Sequence, residues 1–128
     1  MKYLWDTNIS VYYLQKQLPS VAEEFMDVVL KDAPATISVI TEIELLSWKT
    51  ESKDDLSVLQ SFIDDSIIIE LSKPIKLKTA DIRKTNKIKL PDAIIAATAI
   101  ENNFTLLTRN TSDFKNIAGL NVFNPWPE

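Results

Sequence analysis

The chain has 128 residues, 14 Lys+Arg against 18 Asp+Glu and a net charge of −4; this length predicts a single domain over 1–128 that can fold on one core. It contains no cysteine, no histidine and one glycine, Gly119, which excludes disulfides, zinc ribbons, thiol nucleophiles, Ser-His-Asp triads and Gly-rich phosphate loops. Any catalysis therefore falls to carboxylates, lysines, hydroxyls or a metal held by oxygen.

In chain order, Tyr3-Leu4-Trp5 is a short apolar run that reads as a buried strand. Asp6-Thr7-Asn8 supplies cap residues for a helix carrying Ile9, Tyr12 and Tyr13. After the break at Pro19, Ser20 is expected to cap a second helix through Leu30, with Val21, Ala22, Phe25, Met26 and Val29 at helical spacing. Ala35-Thr36-Ile37 reads as a second strand, Ser38 to Trp48 as a third helix, and Asp54 to Phe62 as a fourth. Ile67 to Leu71 is a β-branched strand. Pro74 opens a helix to about Asn86, and Pro91 opens another through Ile100. Thr105 to Thr108 reads as a strand, Ser112 as the cap of a short helical turn, and Leu120 to Phe123 as a last strand. Strands alternating with helices imply crossovers and a parallel sheet, an α/β fold. No stretch approaches the ~20 apolar residues of a membrane span, and the first residues lack a signal-peptide apolar core. A cytoplasmic protein without a membrane partner is expected.

Four acids share a context. Asp6 follows the first strand, Glu44 lies one turn into the helix after the second, Asp92 follows Pro91 at a helix start, and Asp113 follows the Thr105–Thr108 strand. In an open α/β sheet the crevice lies outside the carboxyl ends of the strands. Ionised carboxylates gathered there repel and call for a cation, and Mg²⁺ or Mn²⁺ suits an all-oxygen site. Each acid also has a purely structural explanation: Asp6 as an N-cap, Thr41-x-x-Glu44 as a capping box, and Asp92 and Asp113 as partners of a helix dipole. For Asp92 that explanation is weaker. Its helix, Ala93 to Ile100, is apolar nearly all round and so expected to be buried, where a carboxylate needs a partner. Periodicity does not choose between Glu42 and Glu44.

The segments Tyr3-Leu4-Trp5-Asp6-Thr7-Asn8, Ser38 to Leu45, Leu90 to Ala99 and Leu107 to Phe114 resemble the four signatures of the PIN-domain nucleases. The chain's size and its ending Gly119 to Pro125 resemble the VapC-type toxins of toxin–antitoxin pairs. The resemblance implies a three-layer α/β/α PIN-like fold with a central parallel sheet. It also implies a metal-dependent endoribonuclease whose products carry a 5′-phosphate and a 3′-hydroxyl. It carries catalytic and metal-binding roles, for Mg²⁺ or Mn²⁺, onto Asp6, Glu44, Asp92 and Asp113. It selects Glu44 over Glu42, because Ser38, Thr41, Glu44 and Leu45 match a Ser-x-x-Thr-x-x-Glu-Leu pattern. Thr7, Asn8, Thr108 and Asn110 match hydroxyl or amide positions on the substrate side. Ser47-Trp48 departs from the family, which often has an aromatic followed by Gly there.

Lys73 to Lys89 holds Lys73, Lys76, Lys78, Arg83, Lys84, Lys87 and Lys89, with Asp81 its only acid. This stretch reads either as a phosphate-tracking surface, with Lys84 and Lys87 as RNA contacts, or as a solvated helix face. Arg109 is a second candidate RNA contact. The apolar helices over Ile9–Leu14 and Val21–Leu30 are expected to be mostly core, with part left as a groove for an antitoxin segment, as the resemblance implies. A homodimer is likewise expected from the resemblance. The alternatives are an RNA-processing or decay nuclease without an antitoxin, a non-catalytic PIN-like binding module, and a phosphatase with Asp6 as nucleophile. The last normally needs a second acid two residues on, where this chain has Asn8.

Overall fold

The computed structural model describes residues 2–127. The order is β1 (Tyr3–Trp5), α1 (Thr7–Leu14), α2 (Ser20–Asp32), β2 (Thr36–Ser38), α3 (Val39–Leu46), α4 (Lys53–Asp65), β3 (Ile67–Ile69), α5 (Lys73–Thr85), α6 (Leu90–Glu101), β4 (Thr105–Leu107), α7 (Thr111–Phe114) and β5 (Asn121–Phe123). The strands form one sheet in the order β3-β2-β1-β4-β5, and every pairing is parallel. The expected three-layer α/β/α arrangement is what the chain adopts.

Short parallel strands covered on both faces must be apolar at consecutive positions. Leu4 and Trp5 on β1, and Leu106 and Leu107 on β4, are all fully buried. Alternation sends Leu4 and Leu106 into one core with Ile75, Ile82, Ala93, Ile95, Ala96 and Phe114, from α5, α6 and α7. Trp5 and Leu107 enter the other with Ile9, Ala22, Met26, Ile37, Leu45, Leu59 and Ile63. Trp5 anchors that second core edge-on to Tyr13 at 5.4 Å and tilted against Phe62 at 5.5 Å. Helix α6 is buried continuously from Ala93 to Thr98 and on to Ala99, as its apolar circumference predicts. Helix α3 touches α1, α6 and β2 and so bridges the two helical layers.

Several local starts differ from expectation. Helix α2 begins at Ser20, with Pro19 as its cap and no side-chain cap bond; the ring's fixed φ, here −58°, lets Pro19 end the preceding loop directly. Thr41 is not the cap of a capping box. Ser38 caps α3 by accepting from the Ile40 N–H at 3.2 Å, which places Thr41 inside the helix, fully buried. Helix α3 stops at Leu46, before Trp48. Ser112 lies within α7, whose cap position is Asn110. Helix α4 extends a turn beyond the apolar segment that marked it, to Asp65, with Ser52 as its cap. The strands are each three residues long, so the strand expected over Ile67 to Leu71 ends at Ile69 and the last strand starts at Asn121 rather than Leu120.

Candidate active site at the carboxyl edge of the sheet

From β1 the chain proceeds outward to β2 and β3, then returns to lay β4 and β5 on the other side of β1. The reversal falls between β1 and β4, where an open parallel sheet leaves a crevice beyond its carboxyl ends. Asp6 is the first residue after β1, and its N–H donates to the Leu107 carbonyl at the end of β4, at 3.2 Å. Thr108, the next residue on that side, is fully buried. The two strand ends thus frame the site.

Asp6 caps α1, and its carboxylate accepts from the Ile9 N–H at 2.8 Å. Ser10 secures the same turn by donating its hydroxyl to the Asp6 carbonyl at 2.8 Å. The structural and functional explanations of Asp6 therefore coexist: the cap bond fixes the carboxyl group where it faces the crevice. At 5% exposure the charge is costly. Burial pushes the Asp6 carboxyl up to about 6, against the opposing Thr108 and Ile9 hydrogen bonds; the Asp92 and Glu44 charges raise it further.

Glu44 stands on α3 and is itself exposed. The Thr7 hydroxyl donates to its Oε1 at 2.6 Å and lies 3.1 Å from the buried Thr41 hydroxyl. Those hydroxyls join α1 to α3, and of the two acids on α3 it is Glu44 that lines the hollow described below. Asp92 occupies the first turn of α6, one residue after Pro91. Partial burial raises its carboxyl above the ordinary range, as do the Asp113 and Glu44 charges, while Lys89 pulls it down. Asp113 is exposed on α7 and accepts a hydrogen bond from the Asn110 amide. The Asn110 N–H in turn donates to the Thr108 hydroxyl at 3.0 Å.

Two adjoining hollows result. The inner one, about 220 Å³, is lined by Asp6, Thr7, Asn8, Glu44, Lys89, Pro91, Asp92 and Ile95. The outer one, about 400 Å³, is bounded by Asn86, Lys87, Ile88, Lys89, Asp92, Ser112, Asp113 and Asn116. Asp92 and Lys89 belong to both, so the expected acids meet in one cleft, with Asp113 on its outer half. Among the described residues, no three Asp or Glu side chains converge closely enough to enclose a cation by themselves. Mg²⁺ keeps several waters and takes one or two protein carboxylates, so its sites need no full carboxylate cage. Asp6, Glu44 and Asp92, beside the hydroxyl of Thr7 and the amide of Asn8, line the inner hollow with groups that all offer oxygen.

The basic stretch divides. Lys87 and Lys89 reach the cleft, whereas Lys84 is exposed on α5 and lines neither hollow. Arg109 places its guanidinium 5.2 Å from the centre of the Trp126 ring, and Trp126 packs edge-on to Tyr12 at 5.6 Å. Sequence reasoning gave no separate role to Lys89, nor any to Asn86 or Asn116. The proximity of Lys89 to the Asp92 helix start was the available signal.

A parallel sheet between helical layers, with acidic side chains gathered beyond its central strand ends, is an α/β/α domain with its cleft at the carboxyl edge. The PIN domain family matches residues 3–120, and the chain belongs to it. It is 33% identical over 132 residues to the Ribonuclease VapC2 of Rickettsia felis, covering 97% of this chain and 98% of that relative. In three dimensions it is similar to VapBC2 from Rickettsia felis bound to a DNA fragment from its promoter, with a TM-score of 0.83 at 30% identity, covering 99% of this chain and 100% of the other. It is also similar to a toxin-antitoxin complex from Klebsiella pneumoniae, with a TM-score of 0.77 at 29% identity and coverage of 99% and 100%. Among the described residues no helix is long and apolar enough to cross a membrane.

Proposed function

We propose that this chain is a Mg²⁺- or Mn²⁺-dependent endoribonuclease and the toxin of a toxin–antitoxin pair. The observation that carries the chemistry is the inner hollow, where Asp6, Glu44 and Asp92 meet at the chain reversal of the sheet. When bound, the metal supplies Lewis acidity and lowers the pKa of a coordinated water. Asp6, Glu44 and Asp92 would hold it, with Asp113 at the outer side. Thr7 orients Glu44 through its hydroxyl, and the Ile9 N–H orients Asp6. Asn110 orients Asp113. With no histidine in the chain, the proton released as water attacks phosphorus passes to solvent or to a carboxylate that does not hold the metal.

The names borne by the similar proteins support RNA as substrate and an antitoxin protein as partner. A homodimer is the expected assembly. The test is cleavage of single-stranded or loop RNA by purified, partner-free protein in Mg²⁺ or Mn²⁺ against EDTA. Cleavage should require the metal, and full activity in EDTA would refute the metal reading. Addition of the cognate antitoxin should suppress cleavage.

A further inference from the structure

Among the described residues Lys89 is the one cationic side chain lining the inner hollow, and it lines the outer hollow as well, where Lys87 joins it. It is exposed, and its backbone is the cap position of α6, three residues before Asp92. The other cations of the basic stretch point elsewhere. Lys73 and Lys78 lie on a groove with Asp81 and Glu101, and Lys76 and Arg83 on another beside Leu71 and Leu90.

This arrangement sets an electrostatic problem for an RNA substrate. Each phosphate is an anion, and the rim it must reach carries four carboxylates. A cation placed between the two halves reduces that repulsion where the chain of phosphates has to cross. Lysine suits the task, since its ammonium is a point charge on a flexible stem and accepts phosphate from many directions. We propose that Lys89 is a substrate-binding residue of the cleavage site, its ammonium contacting the phosphate at or next to the scissile bond. The proposal rests on the ribonuclease reading above. The competing role is local: Lys89 offsets the Asp92 charge and never meets RNA.

The two roles diverge in measurement. Full-length wild type, Lys89→Ala and Lys89→Arg would be compared on a short single-stranded RNA of mixed sequence. Cleavage is read in Mn²⁺, RNA binding in EDTA over a salt series, and folding by thermal melts with and without Mn²⁺. Lys89→Ala should lose at least tenfold in kcat/KM, and its log–log salt slope should flatten by about 0.7, the value of one single-strand phosphate contact. Its Mn²⁺-induced rise in Tm should persist or grow, because a positive charge beside the carboxylates is gone. Lys89→Arg should recover most of both losses. Wild-type cleavage and salt slope in Lys89→Ala would overturn the proposal, as would lost cleavage accompanied by a lost Mn²⁺ shift. A wild type that binds RNA but does not cleave it would count against the ribonuclease reading, and the salt slope would still decide Lys89.

Discussion

The two halves of the cleft use the same residue type at very different cost. In the inner half Asp6 is buried, fixed by a backbone N–H and pushed up to about 6 by its own desolvation. In the outer half Asp113 is exposed and held by the side chain of Asn110. The inner half is therefore preorganised and electrostatically stressed, while the outer is adjustable and inexpensive. Asp92, shared by both hollows and partly buried, stands between them. The difference shows that a strand-end carboxylate acquires functional strain from how deeply the chain reversal buries it, not from its identity.

The largest expected effect tests that contrast at Asp6. Asp6→Asn keeps a good cap residue but removes the charge, and cleavage should fall at least about 100-fold. Metal-free stability should move the other way. Because the folded carboxyl is raised from 3.8 to about 6, its stabilising contribution is complete below about pH 4 and is lost as pH rises through 6. The size is on the order of 3 kcal/mol, at 1.36 kcal/mol per unit. Urea melts of wild type in EDTA should show this decline between pH 4 and 7, and Asp6→Asn should show a smaller one, the remainder coming from the raised Asp92 carboxyl. A decline of equal size in the variant would show that Asp6 is not the stressed group.

A second comparison concerns metal linkage at the shared and outer acids. A hundredfold excess of Mn²⁺ over its dissociation constant should stabilise wild type by about 2.7 kcal/mol. Asp92→Asn should lose most of that increment, whereas Asp113→Asn should keep most of it and lose cleavage by only about tenfold. Equal metal-induced shifts in wild type and Asp92→Asn would remove Asp92 from the metal site. The smallest effect separates the two lysines expected to contact RNA. Lys87→Ala should flatten the salt slope of RNA binding by about 0.7, and Lys84→Ala, which lines neither hollow, should flatten it less. The reverse order would place the RNA path along α5, away from the outer half.

Much of this architecture was legible in the chain itself. The alternation of short apolar runs with helical periods implied a parallel α/β sheet, because strands covered on both faces must be apolar throughout. The buried alanine-rich α6 followed from its all-round apolar circumference. The acids Asp6, Glu44, Asp92 and Asp113 stood out because each follows a strand or opens a helix. Cap identities were less legible: Ser20, Thr41 and Ser112 are all competent caps, yet Pro19, Ser38 and Asn110 hold those positions. A cap is chosen by where the preceding strand or loop ends, a matter of tertiary packing rather than side-chain preference. Only the fold could decide that Glu44 meets Thr7, that Asp92 belongs to both hollows, and that Lys89 rather than Lys84 reaches the acids. Those facts depend on where α3 and α6 pack against the sheet and against each other, which long-range contacts set and no local pattern encodes.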